Sequence, residues 1–122
     1  MTNNIISSLS LKINTDLDTF KTLMNEMVAS TKGEQGTLNY EWFISEDGKS
    51  CHVFERYADS DALMSHLGNF STFAERFMAA VEVTSLQVYG NPNEQVVEAL
   101  TGFGADFLKP LGGFARETAL SH

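Results

Sequence analysis

The sequence has one cysteine, two prolines and only 8 basic side chains against 16 acidic ones. Cys51 alone can form neither an internal disulfide nor a multi-cysteine metal site, and it fits a reducing compartment. A formal net charge of -8 disfavours nucleic acid and anionic membranes as partners, because both repel an acidic protein. No apolar run approaches the ~20 residues that span a bilayer. Residues 1–14 have no positive charge ahead of their apolar positions and no continuous apolar core, so they do not read as a signal peptide. The expected location is the cytoplasm. Glycine-rich phosphate loops are also missing: Gly102-x-Gly104 and Gly112-Gly113 lack a strand before and a helix after. The three histidines, His52, His66 and His122, are scattered, so no metal is expected.

What is present is patterned. Ile5, Ser7, Leu9, Leu11 and Ile13 alternate with a more polar set, which predicts a strand over residues 4–14. From Asp16 to about Thr31 the spacing changes. Leu17, Phe20, Leu23 or Met24, Met27 and Val28 recur at three or four residues, which predicts a helix with one apolar stripe. Thr37–Ser45 and Ser50–Ala58 read as two strands joined through Asp47-Gly48, a hairpin signal. In the second of these, Cys51, Val53, Glu55 and Tyr57 fall on one face, with His52, Phe54 and Arg56 on the other. Asp59 offers a helix start, with a short helix to Leu67, an interruption at Gly68-Asn69, and a second helix over Ser71–Ala80. Val81–Tyr89 reads as a fourth strand, ended by Gly90-Asn91-Pro92.

Strand-helix-strand-strand-helix-strand is the ferredoxin-like split βαβ order. It predicts an α+β fold over residues 1–90, a four-stranded antiparallel sheet with helices on one face. The other face needs a cover, since Tyr40 and Trp42 lie on one side of the second strand and Phe43 on the other. A two-fold homodimer through the bare sheet faces is the simplest cover. Residues 91–122 form an extension. Asn93–Thr101 reads as a helix, and Asp106–Phe114 as irregular or short-helical. Phe103, Phe107, Leu108, Leu111 and Phe114 are too apolar for a free tail. They are expected to close a pocket or to cross to the partner subunit.

Three motifs carry a resemblance: G-x-L-x-Y-E at Gly36–Glu41, F-E-R-Y at Phe54–Tyr57, and D-x-x-A-L-x-x-H-L at Asp59–Leu67. Over roughly residues 4–90 the chain resembles the antibiotic biosynthesis monooxygenase domain family. That family forms dimeric α+β barrels. The resemblance implies a monooxygenase that works without a cofactor on a phenolic or quinol-type aromatic molecule. It puts His66 at the family's recurrent histidine, as proton shuttle or as partner of a phenolic oxygen, against the plainer reading of a histidine that orders its helix. It matches Glu55 to the family's third-strand acid, for which a structural role is the favoured reading. Arg56 faces the other way, toward Glu41 or a second subunit; with Asn39, Tyr40, Trp42 and Glu55 it completes the set of residues expected to contact substrate beside His66. Asn39, Tyr40 and Trp42 are donors that could hold a substrate anion, and Tyr40 and Trp42 could equally be core or interface aromatics. Tyr57 stands where many relatives have tryptophan. Haem cleavage is disfavoured because Ser71–Met78, the helix that would supply an iron ligand, has no histidine. Two alternatives stay open: a non-catalytic dimeric module that binds a small apolar ligand or a protein partner, and a barrel enzyme with isomerase or decarboxylase chemistry.

Overall fold

A computed structural model describes residues 3–116. The chain runs β1 (Ile5–Ile13), α1 (Leu17–Thr31), β2 (Thr37–Ile44), β3 (Ser50–Tyr57), α2 (Ser60–Phe70), α3 (Ala74–Ala80), β4 (Val81–Tyr89), α4 (Glu94–Thr101) and β5 (Asp106–Leu108). Three helices start at a side-chain cap. Asp16 accepts from the backbone N–H of Thr19 (2.9 Å), Asp59 from that of Ala62 (2.9 Å), and Asn93 from that of Val96 (3.0 Å). Each satisfies a donor that the first helical turn leaves free.

The α+β ferredoxin-like arrangement is present, but the sheet is five-stranded and mixed, in the order β2-β3-β1-β4-β5. The expected four antiparallel strands are joined by β5, which pairs in parallel with β4 and matches Val88 to Phe107. The stretch expected to be irregular or short-helical thus begins with a strand. A parallel neighbour needs a crossover of about a dozen residues, and α4 supplies it. A second difference lies in α2, which continues unbroken through Gly68-Asn69 and ends at Phe70. Tertiary contacts offset the low helix propensity of that pair.

The register puts alternate residues of every strand on opposite faces. Tyr40 pairs with Glu55 and Trp42 with Val53 on the helix-covered face, whereas Asn39 pairs with Arg56 and Phe43 with His52 on the other. A bulge against Ser10/Leu11 shifts the phase of β4, so that both Val83 and Leu86 face the helices despite their odd spacing.

The core is in two parts. One centres on Leu11, Phe20, Leu23, Met27, Val53 and Phe77, between the sheet, α1 and α3. The other centres on Ile5, Tyr57, Leu63, Val88, Val96 and Leu100, between the sheet, α2 and α4. The extension is therefore part of the fold: Val96 is fully buried and Leu100 nearly so. Leu111 and Phe114 are exposed. Between the two packed clusters lies a hollow.

Candidate functional site

The hollow is a cavity of about 330 Å³, lined by residues from both clusters, among them Met27, Val53, Phe77, Leu63, Leu86 and Leu100. Phe103, just past α4, stands at its wall. The polar groups on the lining are few: Ser7, Tyr40, Trp42, Glu55, Tyr57 and His66. A largely apolar hollow with a handful of placed polar groups is the usual form of a small-molecule site.

His66 is 5% exposed and comes from the middle of α2. Its position follows from the loop between α1 and β2. Gly36 packs so closely on α2 that a Cβ there would lie 2.5 Å from Cβ of Ala62. Only glycine lets the loop touch the helix at that point. One turn further along, on the same helix face, His66 meets Glu34 from the same loop, with Nδ1 2.9 Å from Oε1. Glu34 also accepts from Thr37 Oγ1 (2.7 Å) and from Asn69 Nδ2 (2.6 Å). Burial works to raise its pKa, yet the hydrogen bonds from Asn69 and Thr37, with His66, bring it below the ordinary value. An ionised carboxylate only accepts, so Nδ1 carries the hydrogen of this bond and Nε2 is left for other chemistry.

Nε2 of His66 looks toward a second carboxyl group, 3.8 Å from Oε1 of Glu55. Glu55 lies in the centre of the sheet, paired with Ser7 on one side and Tyr40 on the other. Burial raises its pKa, against the opposing pull of His66 and of the Tyr57 hydroxyl, which donates to Oε1. Two carboxyl groups thus flank one imidazole, and their environments push them in opposite directions. Tyr40 and Tyr57 are both shifted up, by burial and then by the charge of Glu55. Their rings each lie 5.4 Å from that of His66. Beyond Tyr40, at 5.6 Å, comes Trp42, whose Nε1 is buried without a hydrogen-bond partner. A buried N–H without a partner costs about 1–3 kcal/mol, and an oxygen on a bound molecule would recover it.

Of the six site residues expected from the sequence, His66, Tyr40, Trp42 and Glu55 come together on this wall. Asn39 and Arg56 lie on the other face of the sheet. There Arg56 donates from Nε to Asn39 Oδ1 (2.7 Å) and from Nη1 to Asn4 Oδ1 (2.8 Å), and Asn39 donates to Glu41 (3.1 Å). Sequence reasoning missed Glu34. It stands in Lys32-Gly33-Glu34-Gln35-Gly36, which reads as a plain connector, and its partner is 32 residues away. It also missed Asn69, taken as a helix break. Cys51 is buried, with its thiol pKa raised by burial. Among the described residues no group of three or more His, Cys, Asp or Glu is arranged to hold a metal ion, and no helix is long and apolar enough to cross a membrane.

Several solved structures share this architecture. MupZ from Pseudomonas fluorescens is similar with a TM-score of 0.85 and 22% identity, over 95% of this chain and 91% of that one. SnoaB from Streptomyces nogalater, a cofactor-independent oxygenase, matches with a TM-score of 0.67 and 13% identity, over 75% of this chain and 96% of that one. Rv0793 from Mycobacterium tuberculosis matches with a TM-score of 0.63 and 22% identity, over 75% and 97%. MupZ alone of these three matches nearly the whole chain, extension included. No curated protein matches the sequence. The sequence model of the antibiotic biosynthesis monooxygenase family matches residues 14–83, more than half of the chain and the whole span from α1 through α3 into β4, and the chain belongs to that family.

Proposed function

We propose that the protein is a cofactor-independent monooxygenase acting on a phenolic or quinol-type aromatic small molecule. The observation that carries the reading is the pairing of an oriented base with an unpartnered donor on one apolar wall: His66, held through Nδ1 by Glu34, and Trp42 Nε1. The fold is that of SnoaB, itself a cofactor-independent oxygenase. His66 Nε2 takes the phenolic proton, and Trp42 Nε1–H, with the edges of Tyr40 and Tyr57, faces the phenolate. The electron-rich ring then reduces dioxygen. One oxygen atom ends on the ring carbon opposite the phenol as a quinone carbonyl and the other leaves as water, so the substrate supplies all the electrons. The apolar lining keeps the phenolate poorly solvated and therefore reactive.

Assembly belongs to the same reading. The helix-free face of the sheet exposes Phe43 (55%), Leu108 (47%) and Tyr89 (39%). Their burial against a second copy would give a two-fold homodimer, with Asn39 and Arg56 ordering that face rather than touching substrate. The single free cysteine fits work in the cytoplasm.

Oxygen uptake with a panel of anthrones and dihydroxynaphthalenes tests the activity. Uptake above the rate in buffer is expected, with one atom of labelled dioxygen in the quinone product and loss of turnover in His66→Ala. A panel that binds but is oxidised no faster than in buffer would leave a ligand-binding module in place of an oxygenase.

A further inference from the structure

The cavity is graded from one end to the other. In the sheet order β2-β3-β1-β4-β5, most of its polar side chains stand together: Tyr40 and Trp42 on β2, Glu55 and Tyr57 on β3, with His66 meeting them from α2. Past Ser7 on β1 the lining turns apolar, with Leu9, then Val83 and Leu86 on β4, then Leu100 of α4. Strands lie about 4.8 Å apart, so β3 and β4 are separated by roughly 10 Å. A ring hydroxyl at His66 puts its ring over β3, and the β4 end is left to whatever the ring carries. Among the described lining residues, the exposed ones are Met78, Gly102 and Phe103. They mark a mouth between α3 and the turn after α4. Met78 is 49% and Phe103 52% exposed. The rim is thus a thioether and a phenyl ring, with no side chain that pairs with a charge.

Phe103 is a fixed part of that rim. Gly104, at φ +77°, donates its N–H to the carbonyl of Thr101 (3.0 Å), and Ala105 donates to that of Leu100 (3.2 Å). These two bonds close a helix end at a left-handed glycine. Beyond the turn, Ala105 and Phe107 pack on the cluster of Val96 and Leu100, and β5 pairs with β4. The phenyl ring is therefore held at the mouth from both sides of the turn.

We propose that the extension fits this cavity to a two-part substrate: a phenolic head at His66 and Trp42, and an uncharged hydrocarbon tail that runs past Val83 and Leu86 and leaves between Met78 and Phe103. Phe103 is the residue that sets how firmly the tail is gripped. The inference rests on the phenolic reading of the site and adds the shape of the rest of the molecule. No lysine or arginine lines the cavity among the described residues, and the protein has a net charge of -8. A carboxylate or phosphate on the buried part of the tail is then left unpaired, at a high cost. Methylenes carry no such penalty, and each one buried tightens binding about fourfold.

The test measures binding to the full chain under nitrogen, so that no oxidation intervenes, with para-methylphenol, para-butylphenol and para-octylphenol. Trp42 is the sole tryptophan, so its fluorescence reports occupancy at the head end. Expected is a Kd roughly 50-fold lower for the butyl than for the methyl compound, and lower again for the octyl one. Phe103→Ala should weaken para-octylphenol about tenfold and leave para-methylphenol as it was; Met78→Ala should act in the same direction. Val97→Ala, exposed on α4 and off the lining, should change neither. A carboxylate at the end of the octyl tail should be tolerated, since that end lies in water, whereas one at the end of an ethyl tail should prevent quenching. Equal Kd values for the three phenols, a loss in Phe103→Ala that is the same for methyl and octyl, equal quenching by the two carboxylates, or no quenching by any phenol would each overturn the proposal. Oxygen uptake keeps the two readings apart. Tail-dependent binding with no quinol oxidised sinks the oxygenase reading alone, and oxidation of tail-free quinols with tail-independent binding sinks this one alone.

Discussion

The two faces of the sheet are made by the same strands, residue against alternate residue, yet they differ in kind. The covered face gathers Tyr40, Trp42, Glu55 and Tyr57 round an imidazole, with several groups shifted by burial. On the bare face, Asn39, Glu41, Arg56 and Asn4 satisfy one another at ordinary hydrogen-bond distances beside exposed Phe43 and Tyr89. The lesson is that a residue's sign and size matter less than its parity. Glu55 and Arg56 are neighbours in the chain; one is set beside a buried imidazole and the other in a part-buried polar network on the far face.

The largest expected effect comes from uncovering the first face. Removing residues 91–122 strips away α4 and β5, and with them buried Val96 and Leu100. Losing two such side chains costs several kcal/mol, at ~2–5 kcal/mol each. Calorimetry should show a fall in melting temperature of more than about 10 °C, or no folded protein; an unchanged midpoint would mean that the extension is decoration. Next comes the base: His66→Ala should lower turnover by roughly 10²-fold or more, whereas Arg56→Ala, on the opposite face, should leave kcat unaltered. Equal losses in both would erase the distinction between the faces.

A third variant reverses the comparison. Phe43→Asp on the bare face should abolish the proposed homodimer in light scattering while ligand quenching of Trp42 stays as it was. The smallest effects separate the two carboxyl groups by pH. The folded-state pKa of Glu34 is depressed, so its contribution is present above the ordinary value of 4.5 and lost as pH falls through the folded value. Glu34→Gln should therefore melt lower than the parent at neutral pH and alike in acid. Glu55 has a raised folded-state pKa, so stability is full below 4.5 and declines as pH rises through the folded value. Glu55→Gln should melt a few degrees higher at alkaline pH, about 2–5 °C, and alike in acid. Identical pH slopes for the two variants would refute the opposite environments assigned to them.

Much of this was written locally. The alternation in Ser50–Tyr57 put Glu55 and Arg56 on opposite faces without telling which one the helices cover, and Asp16, Asp59 and Asn93 marked three helix starts that the structure keeps. His66, Tyr40 and Trp42 were singled out by family resemblance and share one wall. What stayed hidden depends on contacts distant in sequence. Glu34 matters only because Gly36 lets its loop lie against Ala62. Asn69 stays helical because its side chain donates to Glu34 and to Ser30 Oγ (2.9 Å). The three residues of β5 are too few to show a period, and their strand state comes from the edge of β4 that they cover.

The core is divided, with a hollow where a single mass of side chains would be denser and firmer. Whatever fills that hollow acts as a missing piece of the interior and ties the two halves together. Occupancy and melting temperature are then coupled: a ligand present at 100 times its dissociation constant adds about 2.7 kcal/mol. The natural guest of this chain can therefore be sought with a heating block and a compound library, before anyone knows which reaction to assay.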